Sequence, residues 1–119
     1  MNWIPLKEQE QLTVLHSQSA QVPVLVFKHS TRCGISRFAL KAFEQAYSLP
    51  EGQVITYLLD LLSYRSISHE LAEKYQVIHA SPQVLLISKG SVIYHHSHQG
   101  IDMEDMTQVL VEKALIEPQ

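Results

Sequence analysis

The stretch VPVLVFKHSTRCGIS, residues 22–36, determines the fold more than any other part of the chain. Its first half is apolar and β-branched, which is typical of a buried strand, and we predict a strand over residues 22–29. A polar turn follows, and an amphipathic helix then begins near Cys33 and continues through residues 35–47. Cys33, the only cysteine in the sequence, is therefore predicted to lie where a strand passes into a helix.

This position favours the thiolate form of Cys33. The unpaired N–H groups and the dipole of a helix place positive charge at its start. Lys28, Arg32 and Arg37 flank the cysteine and act in the same direction. Free cysteines are often only packing residues, but polar neighbours keep Cys33 off any apolar stripe. Since the thiolate is the nucleophilic form of cysteine, we predict that Cys33 is a catalytic residue.

Ser36 occupies the place of the second cysteine in a Cys-x-x-Cys redox motif. Serine cannot form the internal disulfide, so a dithiol cycle within one chain is excluded. Any disulfide of Cys33 must join another molecule, which fits a reducing compartment. The Ser36 hydroxyl either hydrogen-bonds the Cys33 thiolate or is a surface group in the first helical turn.

The rest of the chain alternates helices and strands. A turn at residues 89–91, with Gly90 placed for a positive φ, joins the last two strands as a hairpin. Asp102 is the expected cap of the last helix, and Ser66 or Ser68 is available to cap the third. We predict helices over residues 8–17, 66–75 and 102–116, and strands over residues 2–5, 54–59, 91–96 and directly after Pro82.

This order predicts a thioredoxin-like α/β fold with a central mixed sheet flanked by helices. Strands separated by helices pair in parallel through right-handed crossovers, and the final hairpin adds the antiparallel part. The length of 119 residues suits one domain over residues 1–119. Large apolar side chains expected in the core are Trp3, Phe38, Phe43 and Leu85.

Pro82 follows Ser81 between a polar loop and an apolar strand. Its position in this layout predicts a cis peptide bond, although most X–Pro bonds are trans. A cis proline beside the thiol would leave the backbone of Ser81 free to pair with peptide-like groups of a bound thiol, as an added strand would. The alternative is an ordinary trans proline at the start of a strand.

Charge and composition exclude several classes of partner. The net charge is −3 and the pI is about 6.1, so no basic surface is indicated for nucleic acid or an anionic membrane. The N-terminal residues lack a basic segment followed by an apolar one, so no secretory signal is predicted. No apolar run approaches a membrane-spanning length. We therefore expect a cytoplasmic protein.

Two segments, KHSTRCGIS at residues 28–36 and SPQVL at residues 81–85, resemble the monothiol bacilliredoxins of the YtxJ type. The resemblance extends over nearly the whole chain. It implies a thioredoxin fold, a link to bacillithiol-dependent redox metabolism and a Cys-Pro-Ile-Ser motif whose cysteine acts alone. This chain has Gly34 where proline is commoner. Proline at the first helical position fixes φ, whereas glycine leaves the turn looser.

The expected activity is removal of a low-molecular-weight thiol, bacillithiol by resemblance, from mixed disulfides on S-thiolated client proteins. Glutathione or coenzyme A are alternative thiols, and no bound cofactor is expected. The other class of function is a non-enzymatic adaptor or redox sensor. Cys33 is the catalytic residue, and the predicted substrate-binding residues are Thr31, Arg32, Gly34, Ile35, Ser36, Ser81 and Pro82.

Thr31 and Arg32 either bind a carboxylate of the thiol or are solvated loop residues. His29 either assists proton transfer or simply ends the strand. Three histidines follow one another closely at residues 95, 96 and 98. The second and third would share one face of a strand, but no thiol or carboxylate at a clear spacing completes a ligand set, so we predict no metal site.

Overall fold

The structure, a computed structural model, describes residues 1–118. The predicted order of helices and strands is confirmed. In chain order the elements are β1 (Ile4–Pro5), α1 (Glu10–Gln18), β2 (Val24–His29), α2 (Gly34–Ala46), β3 (Ile55–Asp60), α3 (Arg65–Tyr75), β4 (Gln83–Ser88), β5 (Ser91–Ser97), a 3₁₀ turn (His98–Gly100) and α4 (Met103–Glu112).

The five strands form one mixed sheet in the order β1-β3-β2-β4-β5. β3 is parallel to both β1 and β2, whereas β4 is antiparallel to both β2 and β5. β2 is the central strand, and all six of its residues are buried. Because β2 and β3 are parallel, the turns that follow them lie at the same end of the sheet, where β4 begins.

Alternate residues of β2 point to opposite faces of the sheet. Val24 and Val26 belong to a core with side chains of α1 and α3. Leu25 and Phe27 belong to a second core with side chains of α2 and α4. The Phe27 ring contacts Phe43 of α2 edge-on, with centroids 5.6 Å apart. The helices therefore cover both faces of the sheet.

One predicted core residue is wrong. Phe43 and Leu85 are buried, and Trp3 packs against Phe27 from the edge of the second core. Phe38 is instead 77% exposed. The apolar stripe of α2 is wider than the face that the sheet covers, so Phe38 and Ile35 remain on its solvent side.

The start of α3 and the end of α4 differ from the prediction. α3 begins at Arg65, and the residue at its N-cap position is Tyr64, whose side chain makes no capping hydrogen bond. Ser66 and Ser68 lie inside the helix and therefore do not cap it. α4 is capped as expected, because Oδ1 of Asp102 accepts the N–H of Glu104 at 2.8 Å. It ends earlier than predicted.

The early end of α4 is produced by a left-handed residue. Ala114 has φ 57°, and the N–H of Leu115 donates to the carbonyl of Leu110. A residue in this conformation closes a helix, but it is usually glycine, so the sequence carries no signal of it. The turn at Gly90, which has φ 77°, is as predicted.

Candidate functional site

Cys33 is the residue that caps the start of α2. Its φ of −104° and ψ of 122° are extended, and its carbonyl accepts the first helical hydrogen bond from the N–H of Arg37 at 3.0 Å. The thiol itself makes no capping hydrogen bond and is partly exposed. The sulfur is thus held at a helix start, in reach of solvent.

Ser36 adopts neither of the two arrangements considered from the sequence. It is completely buried, so it is not a surface residue. Its Oγ lies 2.7 Å from Nδ1 of His29 and accepts the N–H of Ser30 at 2.9 Å. The hydroxyl therefore fastens the turn before Cys33 and the end of β2 to the first turn of α2.

His29 is also more than the last residue of its strand. Burial lowers its pKa below the ordinary 6.5, while the carboxylate of Asp60 opposes this shift and Arg37 adds to it. The imidazole is consequently neutral at neutral pH. A neutral ring can accept the Ser36 O–H at Nδ1, and Oγ can then still accept the N–H of Ser30.

We expect Ser36→Ala to lower the free energy of unfolding by about 1–3 kcal/mol, because it leaves the buried His29 Nδ1 and the partly buried Ser30 N–H without their partner. Urea denaturation measures this loss. Ser48→Ala, at an exposed position outside the helices and strands, is the control and should change stability little. A stability equal to that of the unmodified protein would show that the buried hydroxyl contributes nothing.

Gly34 is the first residue of α2, where the backbone N–H has no helical partner. Cys33 before it is extended, as the residue before a proline must be. A Cβ at residue 34 would meet only the side chain of Arg37, at 3.8 Å. The local structure is therefore compatible with the proline that is usual in the family it resembles.

We expect Gly34→Pro to raise the free energy of unfolding by about 0.4–1 kcal/mol, because proline restricts the unfolded chain without straining the folded one. Urea denaturation tests this. Gly52→Pro is the control and should destabilise, since Gly52 has φ 90°, which proline cannot adopt. A loss of stability in Gly34→Pro would contradict this account of the helix start.

The Ser81–Pro82 peptide bond is cis. The ladder between β2 and β4 ends at Lys28 and Gln83, so the next residues, His29 and Pro82, lie at the same level of the sheet. The turn that carries Cys33 continues from there. The structure thus brings the predicted residues of the two segments to one end of the sheet.

The flanking cations are arranged differently from the prediction. Lys28 alternates with Phe27 and points to the face opposite α2, where its Nζ donates to Nδ1 of His79 at 3.2 Å. Ser68 Oγ lies 3.2 Å from the same nitrogen. The ammonium of Lys28 is thus directed towards His79, on the face of the sheet opposite α2. Arg37 lies beside the turn and donates to the carbonyl of Thr31 at 3.1 Å.

An apolar groove of about 640 Å³ lies between α2 and the segment over residues 98–103 that leads into α4. Gly34 and Ile35 line it next to Cys33, and the exposed ring of Phe38 extends it. Thr31 and Arg32 are exposed in the turn on the other side of the cysteine. Thr31, Arg32, Gly34 and Ile35 thus adjoin Cys33 along the chain, Ser81 and Pro82 lie at the same end of the sheet, and Ser36 is buried in the interior.

Within the described part of the chain, no three His, Cys, Asp or Glu side chains are grouped as metal ligands would be. Residues 1–118 also include no helix with the length and apolar character needed to cross a membrane.

Sequence reasoning missed the contacts of Lys28 and His29. The sequence does contain one indication of these contacts. Lys28 and His29 are consecutive ionisable residues at the end of a buried strand, so each requires a polar partner on its own face of the sheet. Those partners come from residues 36 and 79, which are distant in sequence or assigned to other roles.

The family model described as monothiol bacilliredoxin BrxC matches residues 4–106. Among solved structures, a protein assigned provisionally as an oxidoreductase with a thioredoxin fold is 28% identical, with a TM-score of 0.76 over 89% of this chain and 91% of that one. Thioredoxin Mala s 13 of Malassezia sympodialis is 18% identical, with a TM-score of 0.71 over 93% and 90%.

Thioredoxin O2 of Arabidopsis thaliana is 16% identical, with a TM-score of 0.63 over 92% of each chain. The two thioredoxins establish the fold alone. The predicted thioredoxin-like fold is confirmed by these likenesses together with the mixed sheet and its flanking helices.

Proposed function

The chain belongs to the monothiol bacilliredoxin family, and we propose that it removes a low-molecular-weight thiol from mixed disulfides on client proteins. The thiol that we propose is bacillithiol. The family and the 28%-identical structure support a thiol oxidoreductase in general. The observation that carries the finer proposal is a partly exposed thiol at a helix start whose Cys-x-x-Cys partner position holds a buried, bonded serine.

The reaction proceeds by two exchanges. The Cys33 thiolate attacks the sulfur of the small thiol, a new disulfide forms between them, and the client leaves as a thiolate that takes a proton from water. A second small thiol, as its thiolate, then attacks the adduct. Cys33 leaves reduced, and the two small thiols leave as a disulfide, so their two electrons reduce the client.

The remaining site residues hold the substrate in this scheme. The backbone of Ser81, beside the cis proline, pairs with peptide-like groups of the thiol. Thr31 and Arg32 bind its polar groups from the exposed turn, and the groove at Gly34 and Ile35 receives apolar side chains of the client. The need for reduced small thiol fits a reducing compartment such as the cytoplasm.

Intact mass spectrometry tests the proposal. The reduced protein is incubated separately with the disulfides of bacillithiol, glutathione and coenzyme A. We expect one thiol mass per chain, formed fastest with bacillithiol and removed by excess of the reduced thiol. A disulfide-linked dimer with no small-thiol adduct from any of the three would contradict de-thiolation and favour the redox sensor or adaptor.

A further inference from the structure

Lys28 has an unusual environment for a lysine. Its side chain is completely buried at the end of the central strand, and burial lowers its pKa to about 8, so that it is still mostly charged at neutral pH. Buried ammonium groups are normally paired with a carboxylate. The hydrogen-bond partner described for Lys28 is instead an imidazole nitrogen, Nδ1 of His79.

The surroundings of His79 carry positive charge. Burial lowers the pKa of His79, and both Lys28 and Arg65 lower it further, with no carboxylate among the causes. Arg65 is the first residue of α3, so the positive end of that helix points to the same corner. In the adjoining loop, the buried Oγ of Ser81 has no hydrogen-bond partner within residues 1–118. An anion is the group that this corner lacks.

This corner lies at the Cys33 end of the sheet. Lys28 is five residues before Cys33, and His79 is three residues before the cis proline. α3 begins in the turn after β3, whose last residue, Asp60, pairs with His29. The corner and the sulfur therefore share one end of the sheet, on opposite faces.

We propose that Lys28 and Arg65 form a carboxylate-binding subsite for the small thiol, with His79 as a displaceable cover. The inference rests on the proposed function and names the chemistry that its substrate must carry. His79 is exposed, so its ring can turn into solvent and release the ammonium of Lys28 to the carboxylate. Ser68 supplies a hydroxyl donor beside it, and Ser81 carries an unpartnered hydroxyl in the adjoining loop. A charge-assisted hydrogen bond then replaces a contact with a neutral ring.

The test compares oxidised glutathione with its ethyl ester, in which the carboxylates are masked. The rate of Cys33 adduct formation is measured for each by quenched intact mass. The readout is the rate with oxidised glutathione divided by the rate with its ethyl ester. A general loss of thiol reactivity lowers both rates equally and leaves this ratio unchanged. In Lys28→Met we expect this ratio to fall by at least about tenfold, which is the lower limit for the loss of one hydrogen bond to a charged group.

Lys41→Met is the matched control, because it removes an exposed lysine of α2 and changes the net charge equally. Its ratio should equal that of the unmodified protein. An unchanged ratio in Lys28→Met would overturn the subsite. That result would leave the proposed function standing as long as both disulfides still modify Cys33.

The variant His79→Ala distinguishes two roles of Lys28, which are binding of a carboxylate and support of the loop that carries His79. Removing the cover should keep or raise the ratio, because the ammonium of Lys28 becomes accessible. If the ratio fell as far as in Lys28→Met, the contact between the two residues would act by positioning the loop, and the subsite would be overturned.

Discussion

Replacing Cys33 with serine is expected to abolish adduct formation and thiol transfer, because no other residue of the chain can hold a sulfur adduct. The fold should persist. The thiol makes no capping hydrogen bond at the start of α2, and serine is among the residues preferred at that position. The adduct is measured by intact mass, transfer by release of a small thiol from a client, and the fold by circular dichroism and urea denaturation.

Ser36→Ala is the comparison variant for this experiment. It keeps the thiol and loses one buried and one partly buried hydrogen bond, so it should lower stability while the adduct still forms. Cys33→Ser should show the opposite pattern. Residual adduct on Cys33→Ser, or complete loss of adduct from folded Ser36→Ala, would show that Cys33 is not the sole chemical group.

Lys28→Met is expected to stabilise the protein at neutral pH. Burial lowers the pKa of Lys28 from 10.5 to about 8, a difference that corresponds to at most about 3 kcal/mol of unfolding free energy. Below pH 8 the folded and unfolded chains are both protonated, so the folded state bears the full cost of burying the charge. Methionine has a similar shape and no charge, and it removes this cost.

The pH dependence identifies the cause. Between pH 8 and 10.5 the unfolded chain binds more protons at this residue than the folded one, so the stability of the unmodified protein rises with pH. The advantage of Lys28→Met should therefore shrink across this window. Lys41→Met should follow the unmodified protein throughout. A variant that is less stable than the unmodified protein at pH 7, or an advantage independent of pH, would contradict the prediction.

The pattern of residues predicts most of the fold. The apolar, β-branched run from Val24 to Phe27 is typical of a buried strand, and the proline after Ser81 marks the start of another. Local chemistry also predicts the cap at Asp102 and the turn at Gly90. These features depend on neighbours in sequence, which is why they can be read without a structure.

Features that depend on how elements distant in sequence pack together could not be predicted. Phe38 belongs to a helical stripe in sequence, but the sheet covers only part of that stripe. Ser36 reads as a surface group or a partner of Cys33 until His29 is found beneath it. Lys28 reads as a neighbour of Cys33 because sequence distance does not show which face of a strand a side chain takes.

The borders of the sheet bear on how copies of the protein meet. β1 is two residues long and contains Pro5, which has no N–H to offer to another strand. On the other side, the pairing of β4 and β5 is irregular at Leu86 and Ile87, and β5 exposes His95 and His96 to solvent. Neither border offers a long, flat, apolar template, so backbone pairing between copies is disfavoured. The two borders therefore act against edge-to-edge aggregation of the protein with itself.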